Sequence, residues 1–192
     1  MSDIKFEVRI VPAGTGSAVW DDPKPSHVVD NFMPATRQHG PMLGVLSLGF
    51  ARPTPGVLQD VVVRIAEDVR AGRYGEFSFV VTSQDGATRN IISHIASSQE
   101  LAIFITPTLG ELESADPAGA LTTKDRETLN FVLQAGGTLT ASEFAEQLSV
   151  EQTTAGNRLV ALHKKGFLQR IARPHPSGDQ FIDPRSVRLN GA

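Results

Sequence analysis

The chain has 192 residues, of which 40% are hydrophobic and 20% charged, and a formal net charge of −3. That length suits two domains better than one, and the composition is that of a folded globular protein rather than a disordered one. No apolar run approaches the ~18 residues needed to cross a bilayer and no basic-then-apolar leader opens the chain, so a cytoplasmic protein without membrane contact is expected. The absence of cysteine excludes disulfides, thiol nucleophiles and thiolate metal sites.

In chain order, Ile4, Phe6, Val8 and Ile10 alternate with Lys5, Glu7 and Arg9, the period-two pattern of a half-exposed strand. Gly14, Gly16, Pro23, Pro25, Pro34 and Pro41 make the next thirty residues mostly loop, with short strands expected around Ala18–Trp20 and His27–Phe32. Leu43–Phe50 is a short apolar strand. Thr54 then reads as a helix N-cap with Pro55 at the first helical position, and Leu58, Val61, Val62, Ile65 and Val69 recur at helical spacing. Gly72 and Gly75 end that helix. Phe77–Thr82 is a second strand of this region, Ile91, Ile92 and Ile95 mark an amphipathic helix, and Leu101–Thr106 is a further strand. The alternation predicts an α/β domain over residues 1–118 with a mainly parallel sheet, because parallel neighbours need crossovers of about a dozen residues. Pro107–Gly119, with Glu111, Glu113 and Asp116, reads as an acidic connector.

Beyond it, residues 119–192 carry 9 Lys+Arg against 7 Asp+Glu, whereas residues 1–118 carry 9 against 14. Thr122 or Thr123 caps a first helix with Leu129, Val132 and Leu133 on one face, ended by Gly136-Gly137. Leu139 is a short strand. Thr140 and Glu143 form a capping box opening a second helix with Phe144, Ala145 and Leu148 inward. After a turn at Ser149-Val150, a third helix places Ala155, Leu159 and Leu162 on one face and stops at Lys164-Lys165-Gly166. Ser149 and Gln152 also have the spacing of a capping box, which would start that helix two residues earlier. Phe167–Ala172 and Gln180–Ile182 are strands flanking a hairpin tip at Arg173–Asp179.

The run from Arg126 to Arg170 resembles bacterial winged-helix transcription factors of the MarR and GntR kind. The likeness is carried by Leu129, Val132, Leu139, Glu143-Phe144-Ala145, Leu148, Val150, and Leu159-x-x-Leu162-x-x-x-Gly166-Phe167-Leu168-x-Arg170. It covers about a third of the chain, and Ser149, Glu151 and Gly156 depart from the family pattern. The resemblance implies a winged helix-turn-helix (α+β) domain and a prokaryotic transcriptional regulator that reads double-stranded DNA. It puts Gln152, Thr153, Gly156 and Asn157 near base edges, Arg158, Lys164 and Lys165 near phosphates, and Arg170, Arg173 and His175 in the wing. A homodimer is expected, since a palindromic operator needs two readers related by a two-fold axis. The amino-terminal domain would dimerise, sense a small-molecule effector or bind a protein.

Two other functions compete. One is an adaptor whose winged helix binds protein. The other is a nucleotide- or anion-binding protein using the β–α loops, where Arg52, Thr54, Ser83, Asp85, Thr88 and Arg89 gather at the carboxyl ends of parallel strands; the plainer reading of these residues is helix capping. Ala13-Gly14-Thr15-Gly16-Ser17 lacks the lysine of a phosphate-binding loop and reads as a turn. The histidines His27, His39, His94, His163 and His175 have no metal-type spacing. No catalytic constellation emerges, so neither enzymatic activity nor a cofactor or metal is expected.

Overall fold

Strand order decides which surfaces need covering. The computed structural model of the protein describes residues 7–12, 41–73, 75–172 and 178–187. The strands expected around Ala18–Trp20 and His27–Phe32, the turn at Ala13–Ser17, and most of the hairpin tip, including Arg173 and His175, lie outside the described residues.

The protein is α/β with a mainly parallel sheet. β1 (Glu7–Pro12), β2 (Met42–Ser47), β3 (Phe77–Thr82) and β4 (Ile103–Thr106) pair in parallel in sequence order, and β5 (Asp116–Ala118) adds antiparallel to β4. β5 corrects the reading of Pro107–Gly119 as a connector. That segment forms a 3-10 turn, Leu109–Ser114, and then the last strand of the sheet. Pro117 suits that place, because an edge strand has a side where a missing N–H costs nothing.

The helix α1 follows β2 in three parts, Pro55–Leu58, a wider π-helical turn Gln59–Val63, and Arg64–Arg70. It starts where Thr54 and Pro55 predict, with the Thr54 side chain accepting from the Val57 amide. The helix α2 (Gly86–Ser98) links β3 to β4. Consecutive crossovers of the same hand, advancing in one direction across a sheet, leave their helices on the same face. Both helices accordingly pack against one face: Leu58, Val61, Val62, Ile65, Ile92 and Ala96 share a core with Met42, Leu46, Phe79, Val81, Ile103 and Ile105. Alternation sends Leu43, Val45, Val80 and Phe104 to the opposite face, away from α1 and α2.

The carboxy-terminal segment covers it. α3 (Thr123–Gln134), β6 (Thr138–Thr140), α4 (Ala141–Leu148), α5 (Gln152–Lys165), β7 (Gln169–Ile171) and β8 (Gln180–Ile182) form three helices and a small antiparallel sheet of order β6-β8-β7. The capping boxes at Thr122 with Asp125 and at Thr140 with Glu143 are both present. Leu129, Val132, Phe144, Leu159, Leu162, Phe167 and Phe181 then join the second core with Leu43, Val45, Val80 and Phe104.

The passage between the two halves is tight. A Cβ at Gly119 (φ +139°) would lie 2.1 Å from the Leu101 carbonyl oxygen, so only glycine fits there. Polar contacts also cross the seam. Gln169 Nε2 donates to the Met42 carbonyl (2.7 Å) and to Ser78 Oγ (2.8 Å). Arg185, 5% exposed, pairs with the buried Asp183 at 2.7 Å, donates to the Ala115 carbonyl, and lies 5.5 Å from the centre of the Phe104 ring. Burial pushes the Asp183 carboxyl above its ordinary value, although the hydrogen bonds and charge of Arg185 pull the other way.

Candidate functional site

The sequence points to two clusters, and the fold treats them differently. The first is built on α4, the following turn and α5. α4 ends at Ser149, which adopts a left-handed conformation (φ 52°, ψ 43°) while the Val150 amide donates back to the Ala145 carbonyl. Glu151 then becomes the extended N-cap of α5 without a capping bond from its side chain. The helix therefore begins at Gln152. The capping box considered between Ser149 and Gln152 is not formed, because Ser149 is committed to closing α4.

α5 buries Ala155, Leu159 and Leu162 and exposes Gln152, Thr153, Asn157, Ala161 and Lys164. Thr153, Asn157, Ala161 and Lys164 follow one another at helical spacing, so they form a row along the outer face. Gly156 is off this row. It is half-buried, and a Cβ there would lie 3.7 Å from that of Ala141, an ordinary contact at the start of α4.

The cations divide into engaged and free. Lys165 Nζ lies 2.7 Å from Asp125 Oδ2 and also donates to the Ala120 carbonyl, tying the end of α5 to the start of α3. Burial raises the Asp125 carboxyl, but hydrogen bonds from Lys165 and Thr122 outweigh it and hold the group below its ordinary value. Arg170 binds Asp179 through Nε (2.7 Å) and Nη2, across the base of the hairpin. Arg158 is half-buried, with its Nε enclosed and without a hydrogen-bond partner among the described residues. Lys164 stands exposed at the end of the row. Of the ten residues assigned to this surface, eight are described; Gln152, Thr153, Asn157 and Lys164 share an open face, and Lys165 and Arg170 are engaged elsewhere.

The second cluster lies at the carboxyl ends of β2 and β3, where the fold does bring Arg52, Ser83, Asp85, Thr88 and Arg89 together. Asp85 is the N-cap of α2, and its Oδ2 accepts from the Thr88 amide (2.8 Å) and hydroxyl (2.7 Å). Arg52 Nε reaches Asp85 Oδ1 at 3.1 Å, and Arg89 donates to the Ser83 carbonyl at 2.6 Å. Thr54 caps α1 instead. The Thr88 hydroxyl, the Thr88 amide and Arg52 hold the Asp85 carboxyl below its ordinary value against a smaller opposing effect of burial. An anion arriving here would meet a helix start already occupied by the protein's own carboxylate.

Sequence reasoning misses Glu76, Gln169, Asp183 and Arg185, which join the two halves. Asp183-Pro184 was a visible turn signal, and Asp183 does cap the 3-10 turn Pro184–Ser186. Nothing local marks Glu76 and Gln169, whose partners are distant in sequence, whereas Arg185 pairs with Asp183 two residues away and reaches the Ala115 carbonyl 70 residues away. No family model, curated protein or solved structure matches the chain.

Proposed function

We propose that the carboxy-terminal unit is a winged helix-turn-helix domain that reads double-stranded DNA through α5, and that the protein is a homodimeric transcriptional regulator. What supports the reading most is the open row on α5: Gln152, Thr153 and Asn157 project from the first turns while Ala155, Leu159 and Leu162 secure the opposite face. A helix entering the major groove needs its amino-terminal turns free. Glutamine and asparagine amides can donate to and accept from adenine together, and threonine offers a hydroxyl and a methyl. The amino-terminal sheet would then serve dimerisation or effector sensing.

The test is binding to random duplex DNA across a salt series, comparing the wild type with a Gln152→Ala/Asn157→Ala variant and with Lys164→Ala. Each phosphate neutralised contributes about −0.9 to the slope of log affinity against log salt, so Arg158 and Lys164, the two cations of this surface left unengaged among the described residues, predict a shallow slope of about −2 per protomer. Lys164→Ala should flatten it by about one, and the amide variant should lower affinity for selected sites more than for bulk DNA.

A second reading, a protein-binding adaptor, is favoured by one specific observation. Lys165, Arg170 and Arg185 are each neutralised by a neighbouring aspartate, and Glu151 stands exposed at the start of α5. Absence of binding to duplex DNA at low salt would select it.

A further inference from the structure

We propose that Glu76 is a positioning residue for the reading surface, holding the end of α5 and the first strand of the hairpin to the large sheet through one carboxylate. The proposal rests on the DNA-reading assignment for its function, but not for its geometry. Glu76 directly precedes β3, and its backbone carbonyl accepts from the Met42 amide at 2.8 Å, so its main chain belongs to the sheet. Its Oε2 accepts from the Arg170 amide at 2.7 Å and lies 3.8 Å from Nδ1 of His163 on α5. The His163 nitrogen is also 3.1 Å from the Leu168 carbonyl.

β7 is an edge of the small sheet, paired with β8 on one side only. The unpaired side of an edge strand must find partners or water, and here a carboxylate from the other half of the protein accepts its N–H. Charge makes that bond stronger than an amide–carbonyl one. Arg170 is then held twice, by its backbone to Glu76 and by its guanidinium to Asp179 across the base of residues 172–179. The direction in which the hairpin leaves α5 is thereby set by the α/β half of the chain. The adjacent Gln169, whose side-chain amide reaches Met42 and Ser78, anchors the same strand one residue earlier.

The experiment measures amide hydrogen exchange at Arg170 and Val132, and duplex DNA affinity, in the full chain and in Glu76→Ala and Glu76→Gln. Glu76→Ala should speed Arg170 exchange at least about tenfold while Val132, inside α3, stays unchanged. Glu76→Gln keeps an acceptor oxygen and should restore protection. DNA affinity should fall several-fold in Glu76→Ala and recover in Glu76→Gln. Unchanged Arg170 exchange, or equal acceleration at Val132, would overturn the latch. Faster Arg170 exchange with undiminished DNA affinity would overturn the positioning role. If the wild type binds no duplex DNA, the DNA assignment falls, and the exchange data alone decide whether Glu76 holds the hairpin.

Discussion

The two faces of the large sheet are buried by different means. α1 and α2 lie in the connections between neighbouring strands, so forming β2, β3 and β4 in parallel brings their own cover with them. Leu43, Val45, Val80 and Phe104 on the other face are covered by residues that all follow the last parallel strand, first Leu112 and Ala115 and then the elements from α3 onward. One cover is a consequence of topology, and the other is a docking event. The lesson is that the change in charge balance near Gly119 does not separate two independent cores, since the second core takes residues from both sides of that glycine.

The strongest way to break this comparison is to damage the docked face. Phe104 packs edge-on against Phe167 with ring centres 5.8 Å apart and lies beneath the Arg185 guanidinium. Phe104→Ala should cost about 3–5 kcal/mol and still unfold in one transition, as should Ile92→Ala on the opposite face. Denaturant titrations followed by circular dichroism and by methyl resonances check this. Two separated transitions in Phe104→Ala would mean that the docked unit is an independent domain after all. A second break targets the seam. Asp183→Ala leaves Arg185 buried without its carboxylate, which should cost about 3 kcal/mol, whereas an Asp183→Leu/Arg185→Met double variant should recover much of that loss. Recovery, read as the denaturation midpoint, would show that the pair is there to satisfy burial and is not an irreplaceable source of stability.

The same contrast explains what could be read from the sequence. Thr54-Pro55, Thr140 with Glu143, and Gly136-Gly137 place helix boundaries correctly because a cap and the helix it ends are neighbours in the chain. The buried face of α5 was legible for the same reason, from Ala155, Leu159 and Leu162, whereas the surface residues came from the family resemblance, which also included the half-buried Gly156. β5 was hidden because Pro117 and Gly119 are local signals for a loop, while the partner that makes the segment a strand is Phe104. Lys165 suits both a phosphate and a carboxylate, and its carboxylate is 40 residues away. Gln169 and its acceptor at Met42 are 127 residues apart, a pairing that no window of sequence contains.

The smallest effect gives the sharpest test of whether the faces behave as one body. Ser149 is held at φ 52°, where a side chain crowds the following carbonyl at a cost of roughly 1 kcal/mol that glycine does not incur. Ser149→Gly also makes the unfolded chain more flexible, which offsets part of the gain. The net expectation is a stabilisation of about 0.5 kcal/mol, visible as a rise in melting temperature of about 1–2 °C. Ser149 lies in the turn between α4 and α5, far along the chain from β1 to β4. If the large sheet and the docked unit unfold together, the whole transition must move by that amount, including the signals of Ile92 and Val81 on the opposite face. A shift confined to signals from α3, α4 and α5 would show that the docked unit melts first, with Leu43, Val45, Val80 and Phe104 exposed while the crossover face remains folded.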